Sequence, residues 1–202
     1  MSKQVLILGI GNVLWADEGF GVRCVEALAD SHEVPEGVQL LDGGTQGLYL
    51  LPFLDGVDAL LVFDAIDYGL PPGTMKLVRD DEVPAFMGAK KMSLHQTGFQ
   101  DVIATAALIG VRPPAMALIG CQPVELDDYG GGLRPLVAAR IPLALAMARE
   151  VLAGWGVTLR EGRTDADLLA DPAIRREAYE SGRPSADDAC RIGDARFLPG
   201  SR

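Results

Sequence analysis

Residues Ala59-Leu60-Leu61-Val62-Phe63-Asp64 constrain this chain more than any other stretch. The apolar residues follow one another without alternation. That is the pattern of a strand buried on both faces, as in a parallel sheet covered by helices. A carboxylate stands where the run should end. In open α/β sheets the C-terminal ends of the strands are where ligands bind. An Asp there also has a plainer use, as a turn cap or a lysine partner. Its meaning depends on what the rest of the chain brings to the same edge.

The flanking segments read as further strands and helices. Lys3 to Gly11 is an apolar strand ending in Gly9 and Gly11, followed by a helical pattern with Val22, Val25, Leu28 and Ala29 on one face. Gly9-Ile10-Gly11 begins a dinucleotide fingerprint, but the third glycine position is Leu14 and the helix starts too late. The glycines are better read as letting the backbone turn sharply. Val38 to Asp42 is a second short strand, ending in Asp42-Gly43-Gly44-Thr45, a tight turn or backbone offered to a bound partner. A short helix follows over 48–54. Thr74 to Val78 reads as an antiparallel edge strand and Ala115 to Cys121 as the last core strand. Helices are expected over 97–109 and 133–155, the second kinked at Pro142. The class is a single α/β domain: a twisted, mostly parallel sheet with one antiparallel edge strand and helices on both faces.

Composition narrows the function. A net charge of −10 over 202 residues argues against a nucleic-acid surface. No apolar run approaches the roughly 20 residues of a membrane span, and the N-terminus leads straight into strand-like sequence without a signal peptide. Three unpaired-looking cysteines, Cys24, Cys121 and Cys190, suit a reducing cytoplasm and give no zinc-finger spacing. They read as structural or inert. After Thr158 the character changes. Residues 160–202 hold eight basic and nine acidic residues and few large apolar ones. Residues 1–158 are therefore expected to form the domain, and 159–202 a polar, weakly ordered extension whose removal leaves the domain folded.

The chemistry-bearing residues follow strands. Asp17 is placed to cap the first helix, which leaves Glu18 to point over the sheet edge. His95 precedes the helix at 97–109; the other histidine, His32, lies in the polar run Asp30-Ser31-His32-Glu33. Right-handed crossovers bring the loops of Glu18, Asp64 and His95 to one edge. Two carboxylates and an imidazole fit nickel, zinc, manganese or iron, and the lack of thiolate disfavours a structural zinc. The same groups also suit acid–base work without a metal. There is no H-E-x-x-H or G-x-S-x-G and no convincing cysteine–histidine pair, so no familiar protease class announces itself.

Several motifs together resemble the hydrogenase maturation endopeptidases, which remove a C-terminal peptide from the large subunit of nickel–iron hydrogenase. They are Gly9-Ile10-Gly11-Asn12, Asp17-Glu18-Gly19-Phe20-Gly21-Val22, Leu41-Asp42-Gly43-Gly44-Thr45, Asp64-Ala65 and Ser93-Leu94-His95-Gln96. The resemblance covers about residues 4–158. It implies a twisted sheet flanked by helices. It implies Glu18, Asp64 and His95 as metal-contacting residues and Asp42 as a further functionally important acid, taken here as the catalytic one; the turn at Gly43, Gly44 and Thr45, read above as backbone offered to a partner, is the expected substrate-binding segment. It implies nickel carried by the substrate rather than held permanently, and a [NiFe] hydrogenase large-subunit precursor as partner. Two other readings are a non-catalytic nickel chaperone or sensor using the same ligands, and a nucleotide binder using Gly9 and Gly11.

Overall fold

The computed structural model describes residues 2–87, 94–164, 169 and 172–182, with the side chains of 85–87, 94–98 and 172 outside the description. In chain order the elements are β1 (Val5–Ile10), a 3₁₀ turn (Ala16–Gly19), α1 (Phe20–Ser31), β2 (His32–Glu33), β3 (Val38–Gly44) and a 3₁₀ segment (Gly47–Leu54). Then come β4 (Ala59–Ala65), β5 (Met75–Arg79), α2 (Glu82–Met87), α3 (Leu94–Ile109), β6 (Ala115–Cys121), α4 (Pro135–Ala138) and α5 (Ile141–Gly154). The extension adds β7 (Arg160–Glu161), a 3₁₀ turn (Pro172–Ile174) and α6 (Arg176–Gly182).

The main sheet runs β3-β1-β4-β6-β5, with β5 antiparallel to β6 and the other pairs parallel. Central β1 and β4 are buried at every residue, as the unbroken apolar runs require. Their side chains feed two cores. Leu61, Phe63 and Ala65 pack with Phe20, Cys24 and Leu28 of α1 and with Ala144, Ala148 and Val151 of α5. Leu60 and Val62 pack on the other face with Phe99, Val102 and Ile103 of α3 and with Leu50 and Leu54.

Two glycines let α1 lie directly on the sheet. A Cβ on Gly21 would strike the backbone oxygens of Phe63 and Ile10, and one on Gly9 would strike the Gly21 carbonyl. Gly11, at φ +131°, brings the chain so close to Glu18 that a side chain there would meet the Glu18 carbonyl. The first two strand-end glycines are thus a packing device, which accounts for the pattern that imitates half a nucleotide fingerprint.

Three sequence expectations change. The expected long helix at 133–155 is two helices, because Pro142 sits in the first turn of α5, where its missing N–H costs nothing. α3 begins at Leu94 rather than Thr97, so His95 lies within its first turn. The described part of the extension is attached to the core. β7 pairs with β2, Thr164 N donates to the Ala29 carbonyl at 2.8 Å, and Thr164 Oγ1 donates to the His32 carbonyl at 2.8 Å. Leu169 packs against the α1–α5 core. No residue of α6 is buried, as its polar composition dictates.

If the close packing of α1 on β1 and β4 depends on Gly21, Gly21→Ala should cost about 3 kcal/mol or more, since only backbone can yield. Urea unfolding checks this; a loss within about 0.5 kcal/mol, the surface-substitution range, would contradict it.

Candidate active site

Asp64 is the penultimate residue of β4 and is 2% exposed. Its parity is that of Leu60 and Val62, so it faces the α3 side of the sheet. The Oδ2 atom is buried without a hydrogen-bond partner among the described residues. Burial pushes the carboxyl well above the usual carboxylate range; the Ala65 N–H draws it back, and the Glu18 charge raises it further. Glu18 is half-buried in the 3₁₀ turn that follows β1, the strand beside β4. The two acids are thus electrostatic neighbours at one edge.

α3 brings His95 toward the same edge. It ends at Ile109, just before β6 starts, so it runs antiparallel to the parallel strands. Sixteen helical residues span about 24 Å, and the seven residues of β4 about 23 Å. The first turn of α3 therefore lies at the level where β4 ends, on the Asp64 face. The His95 side chain itself lies outside the described residues. Among those residues no cluster of three potential metal ligands is found. His32 is at the other end of the sheet, after α1, buried and within 2.8 Å of Ser31 Oγ through Nδ1.

Asp42 takes the opposite side. It pairs in register with Gly9, which also pairs with Phe63. In the alternation of β3 it follows Val38 and Leu40, which face the α1–α5 core. It is half-buried, its Oδ1 accepts the Gly44 N–H at 2.9 Å, and its pKa rises to about 6. Burial is the main cause; the Gly44 N–H lowers it, Glu26 raises it, and Arg23 lowers it. Gly44 holds φ +44°, so a side chain there strains the turn. Gly43 leaves room for the side chains of Leu8 and Ile10. Thr45 is exposed.

Asp17 is the residue whose role the sequence hid. It was expected to cap α1, but the N-cap position is Gly19 and no side chain caps the helix. Asp17 is instead fully buried, and its carboxylate accepts three backbone N–H groups. Val124 and Glu125 donate to Oδ2 at 2.8 and 3.0 Å, and Arg134 donates to Oδ1 at 2.7 Å. This ties the loop after β6 to the turn that carries Glu18. Ala16, beside it, sits at φ +41°, a strained conformation for a non-glycine residue, and its N–H donates to the Gly131 carbonyl. Trp15 stacks edge-on against Tyr129 at 5.2 Å, closing the same loop. On the far side, Gln122 pins the loop after β4 by accepting the N–H groups of Tyr68 and Leu70. Cys24 and Cys121 are buried and free, with burial pushing both thiols up, which suits packing rather than reaction.

The geometry meets its relatives here. The family model for hydrogenase maturation proteases matches residues 22–151. The chain belongs to the hydrogenase maturation protease family. It is 66% identical over 197 residues to the hydrogenase expression/formation protein HupD of Rhodobacter capsulatus, covering 98% of this chain and 94% of that protein. It is 41% identical over 155 residues to the hydrogenase 2 maturation protease of Escherichia coli K12, covering 76% of this chain and 93% of that one. Among solved structures, the hydrogenase maturating endopeptidase HybD of Escherichia coli superposes with a TM-score of 0.74 at 40% identity. It covers 78% of this chain and 97% of that chain. The protein is accordingly an endopeptidase, and the sheet expected from sequence is the family's fold. About a fifth of this chain has no counterpart in the Escherichia coli structure, whereas the alignment with the HupD relative takes in nearly all of it.

The clamp role of Asp17 can be told from capping. Asn caps a helix about as well as Asp, so Asp17→Asn would be near-neutral for a cap. As a clamp it loses charge and one acceptor facing three buried donors, and the variant should lose about 2–4 kcal/mol in chemical denaturation.

Proposed function

We propose that this protein removes the C-terminal extension of a nickel-loaded [NiFe] hydrogenase large-subunit precursor, reading the inserted nickel with Glu18, Asp64 and His95. The observation that carries the proposal is Asp64 Oδ2, buried and without a hydrogen-bond partner among the described residues, beside the Glu18 charge. Burial, with the Glu18 charge beside it, makes Asp64 resist ionisation. A divalent cation reverses that balance, and oxygen donors with one imidazole suit nickel. The metal is cargo of the substrate, held by precursor cysteines, and the three side chains would complete its shell only when the precursor docks. Nickel so placed supplies a Lewis acid near the scissile bond.

The remaining work falls to the chain's own residues. β3 and β4 flank β1, so the backbones of Asp42 and Asp64 stand about 10 Å apart across it, their side chains on opposite faces. That span leaves room for a peptide across the rim. A carboxyl with a pKa near 6 is matched to proton transfer at neutral pH. In this reading Asp42 takes a proton from the attacking water as it adds to the carbonyl carbon. It returns the proton to the amide nitrogen as the C–N bond breaks. The Gly44 N–H fixes Oδ1 and leaves Oδ2 for that exchange. Gly43, Gly44 and Thr45 continue past the rim and would guide substrate backbone. The cytoplasm is the compartment this reading proposes for the enzyme.

A non-catalytic nickel chaperone or sensor using the same residues would bind the loaded precursor and leave it intact. Incubation with purified precursor, with and without nickel, followed by mass spectrometry, should give both fragments only when nickel is present. Intact precursor under both conditions would overturn the assignment.

The three ligands should act as one unit. Glu18→Gln, Asp64→Asn and His95→Ala should each abolish most cleavage, and a double variant should be scarcely worse than either single. A fully active His95→Ala enzyme would remove the shared site. Asp64→Asn should also raise Tm by about 2–4 °C at pH 7. Because the folded carboxyl is raised, its ionisation is opposed only in the native state. Stability is therefore whole at low pH and is lost as pH rises above the unfolded value, near 4. The gain from Asn should grow over that range and vanish below it.

A further inference from the structure

The extension does more than decorate the domain. β7 lies at the far end of the sheet, whereas the described residues 172–182 lie beside the first turn of α1, at the level where the strands end. There they meet Arg23, which is 3% exposed. Arg23 Nη1 donates to the Ile174 carbonyl at 2.7 Å and reaches both Glu26 carboxylate oxygens at 2.8 and 2.9 Å. Its guanidinium lies 5.9 Å from the centre of the Tyr179 ring, a cation–π distance. Glu180 packs against Gly132, in the loop that Asp17 clamps. A cavity of about 670 Å³ remains between α1, α5 and the extension, with Arg23 and Glu26 in its wall. No residue of α6 is buried, and these described contacts of the segment are polar.

A buried arginine needs partners, and α1 supplies only Glu26. The extension supplies the rest. The same pair, Arg23 and Glu26, belongs to the helix that covers the Asp42 face of the sheet: Gly9, the register partner of Asp42, packs directly against Gly21 and Val22 of α1. Asp42 points to the α1 side of the sheet, and Arg23 and Glu26 are the charged groups that act on it, its other neighbour being the Gly44 N–H.

We infer that Arg23 is a positioning residue for Asp42 and that residues 172–182 form a latch that holds Arg23 in place. The inference rests on the catalytic reading of Asp42 given above. Among the described residues the latch adds polar contacts, and its helix α6 buries no residue, so it serves the site more than it serves stability. The HupD relative aligns over nearly the whole chain and so carries a counterpart of most of the extension, whereas the Escherichia coli structure leaves about a fifth of this chain unmatched. In this inference the latch tunes an acid that the shared fold already provides.

The test follows the Asp42 carboxyl by ¹³C NMR titration in the full-length protein, alongside the pH profile of precursor cleavage. Arg23→Gln should raise the Asp42 midpoint by about one unit, Glu26→Gln should lower it, and the double variant should fall between. Arg23→Lys, which keeps the charge, should move it less. Tyr179→Leu, a change outside the core, should shift it in the same direction as Arg23→Gln. The acid limb of the cleavage profile should move with the midpoint in each case. An Asp42 midpoint unchanged in Arg23→Gln would overturn the coupling, and one changed there but not in Tyr179→Leu would overturn the latch. An Asp42→Asn enzyme that cleaves at the wild-type rate would defeat the catalytic reading instead, with the NMR coupling still measurable.

Discussion

The burial of Asp64 sets the terms for the rest of the structure. A carboxylate at the end of a strand covered on both faces loses its hydration, and the Ala65 N–H returns only part of it. The neighbouring Glu18 makes ionisation harder still. Such a pair is poor as a structural device, because apolar residues of the same size would fill that edge at lower cost. It becomes favourable when a cation arrives. The fold therefore holds an electrostatic deficit at one point on its rim and arranges the surrounding loops to keep it there.

Keeping it there requires rigidity on both sides. The backbone around Glu18 is strained at Ala16 and would relax unless restrained. The three N–H groups that Asp17 accepts, the Ala16 bond to Gly131 and the Trp15–Tyr129 contact provide that restraint. Gln122 does the same for the loop after β4. Gly9 and Gly21 let α1 press directly onto β1 and β4, which sets where the turn bearing Glu18 can lie. Asp64 and Asp42 then stand on the two faces of one sheet at the same end.

Much of this could be read from sequence, for physical reasons. The unbroken apolar runs of β1 and β4 announce strands buried on both faces, and the Asp after Phe63 marks where β4 ends. The parity of β3 also carried the face of Asp42, since Asp42 follows Val38 and Leu40 at intervals of two. Asp17 was misread as a cap because its partners lie more than a hundred residues away and are backbone N–H groups, which leave no sequence signal. Pro142 could not be told from a kink, because a proline inside a helix and one opening a new helix follow the same apolar pattern. The contacts of the extension were hidden for a related reason: a two-residue strand and a carbonyl held by Arg23 are too short and too polar to show periodicity.

The central claim is that Glu18, Asp64 and His95 complete the shell of a nickel ion delivered by the precursor. Nickel K-edge X-ray absorption of the loaded precursor, alone and stalled in complex with the Asp42→Asn enzyme, tests it most directly. The account predicts that complex formation adds oxygen and nitrogen scatterers to the sulfur shell, and that substituting Asp64 by Asn as well removes part of that change. A nickel spectrum identical in the free precursor and the complex would contradict it.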